Sequence, residues 1–419
     1  MVLMELGEVI DRRPAVLAPA RLWTRNFTLY FGARVISLLG DAMMPVAVAL
    51  AVGPVYGVSG VGFVLSVWTT PFVIFVLFGG VFADRIGARA MMVGADLVRV
   101  GTQTGVGIAF FAGTPPMWFL LIAAVISGTA AAMFQPGVNG MVPLVSTDPQ
   151  RANGTLKVAD AITQFGGPAL AGVLIALAGA GTVFTFDAGT FLVSALCLAL
   201  IRLAPAAVQR LPSTVRRDLR RGWQEFRSRT WMWSVIIVWI VFGILLFGPY
   251  IPVGSRLISE RLGAASYGWV MAGLGAGTII GGLIAIRHRP SRPLAAGASV
   301  MLGFAFIPFS VALELPLPLL LCCHFLGGGA VAFWSVMWST SVQTQVGPDV
   351  LNRVTAYEVS GSVSGLAVGQ AVAGPISTVI NPRDQLFVAA AVCVTGCVIL
   401  LLLRPVRALR RIVPQQLPA

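Results

Sequence analysis

Apolar stretches long enough to cross a bilayer recur from Asn26 to Leu403, separated by short polar segments. The pattern predicts helices near 27–53, 60–83, 89–112, 117–138, 155–180 and 183–203. A second set is predicted near 231–253, 264–286, 293–312, 315–341, 354–379 and 385–403. At about 1.5 Å rise per residue, each can cross roughly 30 Å of hydrocarbon. The expected fold class is an all-α polytopic membrane protein. One long connection, 204–230, interrupts the series and carries Arg210, Arg216, Arg217, Arg220, Arg221, Arg227 and Arg229. It is expected to be a cytoplasmic linker or surface helix.

The chain repeats itself at an offset of 202 residues. Gly79 and Gly80 fall on Gly281 and Gly282, and Arg151, Gly167 and Gly172 fall on Arg353, Gly369 and Gly374. Two six-helix halves joined by the central linker follow from this repeat. Membrane proteins built from such halves commonly carry a path between them. The expected division is an N-terminal segment 1–25, a first bundle 26–204, a linker 205–230, a second bundle 231–404 and a tail 405–419.

Composition narrows the class further. Hydrophobic residues make up 57% of the 419 residues and charged ones 11%, with mean hydropathy +0.86. A soluble domain usually carries about 25% charged residues. The formal net charge of +13 sits in short loops rather than on one face, which excludes nucleic acid as the expected partner. Arg85, Arg89, Arg151, Arg287, Arg289, Arg292, Arg353 and the linker arginines occupy the even-numbered loops. Arg404, Arg407, Arg410 and Arg411 follow the last helix, and the opposite loops hold only Arg256, Arg261 and Arg383. By the positive-inside rule the even loops and both termini are cytoplasmic. The first 25 residues mix Glu5, Glu8, Asp11, Arg12, Arg13 and Arg21 with short apolar pieces, so no cleaved leader is expected. Cys197, Cys322, Cys323, Cys393 and Cys397 lie in apolar stretches without metal-ligand spacing. His288 and His324 stand apart, so neither a metal nor another cofactor is expected. A phosphate-binding glycine loop with its lysine is also missing, which argues against ATP hydrolysis.

The sharpest local pattern runs from Gly80 to Arg89, between the second and third helices. Gly80 and Gly87 permit a tight turn. Asp84 can accept from exposed helix amides, and Arg85 and Arg89 can pair with carboxylates or lipid phosphates. This ordered loop resembles the characteristic cytoplasmic loop of the major facilitator superfamily. The resemblance covers nearly the whole chain and implies two six-helix bundles related by a pseudo-two-fold axis. It also implies a latch that joins the halves on the cytoplasmic side, reaching Glu358 at the start of the eleventh helix. In the second half the pattern is degraded: Gly282 is kept, Ile286 stands where the acid would be, and Arg287, His288 and Arg289 follow.

In the fifth helix, Gly154, Thr163, Gly167, Pro168, Ala171 and Gly172 resemble the antiporter motif of the same superfamily, associated with drug/proton exchangers. Thr163 and Ala171 depart from it where glycine is expected, but both are small enough for close helix packing. A generic glycine-proline packing kink is the plainer reading. The segments Phe31 to Asp41 and Pro143 to Asn153, with Gly167–Pro168, resemble a bacterial subgroup that includes enterobactin-type siderophore and macrolide exporters.

Ionisable groups inside hydrocarbon are costly and usually face a bundle interior or water. Arg34 and Asp41, seven residues apart on the first helix, share roughly one face. They are the candidates for proton coupling, with a structural ion pair as the alternative. Asp96 and Arg99 are spaced to pair within the third helix, in a structural, gating or substrate role. Asp160 and Gln164 can line a path through the fifth helix, or Asp160 can merely satisfy loop arginines. Asp187 is expected half solvated near the outer end of the sixth helix. The resemblance and these residues together imply a monomeric, proton-coupled exporter of amphipathic or hydrophobic small molecules in a bacterial inner membrane, among membrane lipids. An importer of the same fold, a lipid translocator and a structural membrane protein are the other classes. A membrane enzyme fits least, since no catalytic constellation is present.

Overall fold

Two glycines, rather than loops, divide the first long helical stretches. The computed structural model describes residues 22–76, 86–146, 149–203, 223–346 and 348–411. Arg25–Val76 divides at Gly57, whose φ of 62° only glycine adopts freely, into α1 (25–56) and α2 (58–76). Pro149–Ala199 divides in the same way at Gly179, with φ of 80°, into α5 (149–178) and α6 (180–199). Between them lie α3 (Ala88–Ala112) and α4 (Met117–Val145). The second half begins with α7, which runs from Thr230 to Leu262 through a π-helical turn at Gly243–Phe247. Then follow α8 (Ala264–Arg287) and α9, from Pro293 to Ala312 with a tight 3-10 turn at Leu302–Ala305. The last three are α10 (Leu317–Gln345), α11 (Pro348–Ser377) and α12 (Pro382–Leu402). The twelve helices are those expected, but several run past the apolar stretch. α4 continues to Val145, where Met141, Val142 and Val145 pack into the core of the first half, and α7 continues to Leu262 through polar end turns that stay helical outside the hydrocarbon. On α7 the Arg256–Glu260 pair at 2.8 Å supports such a turn.

The repeat glycines explain how the halves are built and joined. A side-chain carbon on Gly167 of α5 would lie 2.6 Å from Ala42 Cβ of α1. At the same repeat position, one on Gly369 of α11 would lie 2.3 Å from the Gly243 carbonyl oxygen of α7. One step further along each helix the partners cross between halves. Gly172 would meet the Gly268 Cα of α8 at 2.6 Å, and Gly374 would meet the Ser59 Cα of α2 at 2.2 Å. Equivalent glycines thus make equivalent contacts, α5 on α1 and α8, α11 on α7 and α2. This is the pseudo-two-fold relation between two six-helix bundles.

Both described chain ends lie on one face. The Asn26 side-chain amide donates to the Arg202 carbonyl oxygen past α6 at 2.8 Å. At the other end, Gln345 at the end of α10 donates to the Arg410 carbonyl oxygen at 2.9 Å. The crossings at Gly172 and Gly374 lie toward the opposite face. Around the perimeter, Ile108, Phe111, Leu196, Ile237, Leu283 and Ile399 are exposed, the surface that lipid covers in a membrane protein.

Candidate functional site

A charge cluster is buried between α1, α3 and α6. Arg99 of α3 is 1% exposed. Its Nη1 donates to both carboxylate oxygens of Asp41, at 2.9 and 3.0 Å. Its Nη2 donates to Asp96 Oδ1 at 2.5 Å and to Ser37 Oγ at 3.3 Å. Ser194 of α6 donates to the other Asp96 oxygen at 2.5 Å. The guanidinium also lies 4.7 Å from the Phe134 ring centre and 4.2 Å from that of Phe191, so aromatic faces cover the cation. The forked guanidinium is what allows one residue to hold two carboxylates at once.

Next to this cluster stands a third carboxyl. Asp187 of α6 is 3% exposed and accepts from Gln103 Nε2 at 2.7 Å. Among the described residues no cation lies within ion-pair distance of it. The expectation of half solvation is therefore corrected. Counted from the break at Gly179, Asp187 lies about 12 Å along its helix at 1.5 Å per residue, well inside the bundle. Gly40 makes the site possible: a Cβ there would lie 2.1 Å from the Asp187 carboxylate, so α1 must be bare at that point. Thr190 donates to the Asp187 backbone oxygen at 2.7 Å and lies 3.4 Å from its Oδ1.

The structure distributes the sequence candidates differently from their spacing. Asp41 pairs with Arg99, not with Arg34. Arg34 lies instead 3.7 Å from Asp160 of α5. Asp96 and Arg99 do pair with each other. Gln164, one turn beyond Asp160, is exposed. Ser194 was not singled out by sequence, since small polar residues are frequent in the helices.

The antiporter-like residues form the packing face of α5. Gly154 lies in its first turns, and the Thr163 hydroxyl bonds back to the Ala159 carbonyl oxygen at 3.0 Å. Pro168 sits within the helix, and Ala171 is fully buried. Of the cytoplasmic loop, Gly80, Asp84 and Arg85 lie outside the described residues. Gly87 precedes α3 with φ of 91°, a conformation that favours glycine. Arg89 donates to the Ile201 carbonyl oxygen at 2.6 Å. Glu358 of α11 accepts from Trp338 Nε1 at 2.9 Å, so in this structure neither is paired with the other.

The second half is aromatic where the first is charged. Trp239 of α7 stacks on Trp334 of α10 at 4.8 Å between ring centres, and Trp334 stacks on Trp338 at 6.2 Å. Trp231 meets Trp338 edge-on at 5.6 Å. Nearer the opposite face, His324 is fully buried. Its Nδ1 lies 2.7 Å from the Leu320 carbonyl oxygen, which fixes the proton on Nδ1. Nε2 is left to accept from the Tyr250 hydroxyl at 2.5 Å.

Two pseudo-symmetric six-helix bundles, meeting through bare glycine crossings and holding charges away from lipid, define a multi-pass membrane protein of the secondary-transporter class. The chain belongs to the Major Facilitator Superfamily, whose profile matches residues 30–362. It is similar to macrolide efflux protein A of Streptococcus pyogenes, 23% identical over 362 residues covering 83% of this chain and 87% of that protein. It is also similar to the multidrug efflux pump Tap of Mycolicibacterium fortuitum, 24% identical over 325 residues, 74% of this chain and 78% of Tap. A Bacillus subtilis transporter of the same superfamily, YvqJ, is 22% identical over 83% of this chain and 84% of its own length. A crystal structure of a mutant of the nucleoside transporter NupG superposes with TM-score 0.70 at 14% identity, covering 90% of this chain and 98% of NupG. That likeness is one of fold. Membership of this family makes the chain a transporter and not an enzyme, and its similar proteins lean toward efflux.

Proposed function

We propose that this chain is a proton-coupled exporter of amphipathic or hydrophobic small molecules, working by alternating access with both termini in the cytoplasm of a bacterium. The efflux names of its macrolide and multidrug relatives support the direction. The siderophore side of the resemblance is not carried forward. The arginine-rich face that holds both chain ends supports the orientation.

The observation that carries proton coupling is the charge balance around Arg99. Asp41, Asp96 and Asp187 surround one guanidinium, so the fully ionised cluster would hold two uncompensated negative charges inside the bundle. Such charge is expensive away from water, and a bound proton removes half of it, the rest falling on Asp41, which is in part exposed. Asp187 is the carboxyl that takes it. The Thr190 hydroxyl has a single hydrogen, and it is engaged by the Asp187 backbone oxygen. That hydroxyl therefore reaches Asp187 Oδ1 only weakly, at 3.4 Å, and leaves this oxygen poorly compensated. Asp41, with 21% of its side chain exposed, is the route by which protons reach the cluster. Arg34, Asp160 and Gln164 extend the polar face along α1 and α5 and border the substrate path.

The stacked tryptophans of α7 and α10, ending at Glu358, suit an amphipathic cation: apolar faces for its body and a carboxylate for its charge. The test is flux in proteoliposomes under an imposed proton gradient, with a macrolide and cationic dyes as substrates. Uphill movement should follow the gradient and reverse with it. Flux indifferent to the gradient would overturn the coupling.

A further inference from the structure

At the face that carries the chain ends, α8, α9 and α10 enclose a cavity of about 260 Å³ together with the segment after α12. His288, Arg289, Arg410 and Arg411 line it, and no carboxylate does. The volume falls below the roughly 300 Å³ at which pockets for drug-sized molecules begin, so it fits a small polar group. The segment after α12 is tied over it: the Arg411 backbone N–H donates to the Ser291 carbonyl oxygen at 3.0 Å, and Gln345 holds the Arg410 carbonyl oxygen. Ser341 and Thr344 also line the cavity, but their hydroxyl hydrogens go to the Met337 and Thr340 carbonyl oxygens of their own helix. Positive charge is what the cavity offers.

These cations lack an acid among the described residues, as do Arg89 and Arg261, but the latter two are held by backbone carbonyl oxygens. Arg34, Arg99, Arg229, Arg256 and Arg383 each have a carboxylate within 4.0 Å. Among the described residues, Arg287, His288, Arg289, Arg410 and Arg411 form no ion pair. The sequence supplies the reason. This corner is the second-half counterpart of the Asp84 loop, and Ile286 occupies the position where Asp84 would recur.

A second feature adjoins the first. On the outer surface Ile280, Leu283, Ile284, Arg287 and His288 form an open groove, and Leu283 and Ile284 are 50% and 54% exposed. His288 lines both the cavity and the groove. We propose that this corner binds one anionic phospholipid. Its phosphodiester sits among Arg289, Arg410 and Arg411, and an acyl chain lies along Ile280, Leu283 and Ile284. The apolar groove beside the cationic cavity selects a lipid over free phosphate, which would use the cavity alone. The bound lipid fastens the segment after α12 to α8 and α10.

The test uses the purified full chain, delipidated in neutral detergent, with lipid retention read by native mass spectrometry and thermal unfolding in parallel. Phosphatidylglycerol should be retained and raise the unfolding temperature, with phosphatidylcholine and inorganic phosphate much weaker at equal concentration. Arg410→Gln with Arg411→Gln should weaken phosphatidylglycerol retention about 30-fold, at roughly fivefold per arginine. Replacing both with lysine should restore most of it, and Arg289→Gln alone should weaken it as well. Leu283→Asn should weaken the lipid without changing any response to phosphate. Equal retention of phosphatidylcholine, equal retention by the double glutamine variant, or a phosphate effect matching the lipid's would each overturn the proposal.

Discussion

Gly172 on α5 and Gly268 on α8 meet backbone to backbone, with a Cβ on Gly172 falling 2.6 Å from the Gly268 Cα. Gly374 makes the equivalent crossing on Ser59 of α2. Together they close the bundle on the face away from the chain ends. Alternating access requires that face to open, so a bulkier residue should favour the opposite state. Overpacking costs about 1–3 kcal/mol, which shifts a two-state population about 5- to 150-fold. Gly172→Val should therefore speed maleimide alkylation of a single cysteine placed at Ser266, beside the crossing, in a cysteine-free background. An unaltered alkylation rate in well-inserted protein would mean that the crossing never parts.

The charge cluster separates a structural role from a coupling role. Arg99→Ala leaves Asp41 and Asp96 buried without their cation, and loss of one partner of a buried pair costs about 3–5 kcal/mol. That variant should lose thermal stability as well as transport. Asp187→Asn keeps the shape, and its amide oxygen can still accept from Gln103. It should change stability by less than about 1 kcal/mol yet abolish uphill, gradient-driven flux while sparing downhill exchange. Asp41→Asn should slow proton-driven flux by cutting access to the cluster. Normal uphill transport by Asp187→Asn would move the proton to another residue.

The fold was legible because a bilayer imposes it. Helix count followed from apolar length, and the relation of the halves followed from glycines at one offset, of which Gly167, Gly172, Gly369 and Gly374 mark backbone contacts while Gly282 meets nothing. The charged site was legible only in part. Asp96 and Arg99 share a helix, so their spacing predicts their meeting. The partner of Asp41 does not follow from α1 alone: it depends on how far α1 approaches α3 and α6, which Gly40 sets. Arg34 looks equally available in sequence but lies with Asp160. Asp187 was misjudged because its burial comes from neighbours on other helices, α1 bare at Gly40 and Gln103 of α3, which spacing along α6 does not show.

Orientation can be tested without any transport assay. Arg407→Cys should resist an impermeant maleimide in intact cells and label after permeabilisation. Thr114→Cys, in the short connection between α3 and α4, should label from outside at once. The opposite pattern would invert the membrane topology and turn the efflux reading into one of uptake.

The family resemblance implies a latch at the loop between α2 and α3, whose Asp84 and Arg85 lie outside the described residues. The crossings at Gly172 and Gly374 hold the opposite face closed, while Arg89 is bound to Ile201 and Glu358 to Trp338. In the alternate state Glu358 can leave Trp338 for Arg85 or Arg89, with Asp84 facing the first amides of α11. A latch of this kind is worth about 1–3 kcal/mol. Glu358→Gln keeps an acceptor for Trp338 but removes the charge, so it should favour the present state and slow turnover more than it weakens substrate binding. Asp84→Asn should do the same, and the double variant should be less than additive if both serve one latch. Alkylation of a cysteine placed at Ser364 on α11 would follow the populations. If Glu358→Gln leaves that rate and the turnover unchanged, Glu358 serves only to position Trp338 within the aromatic stack.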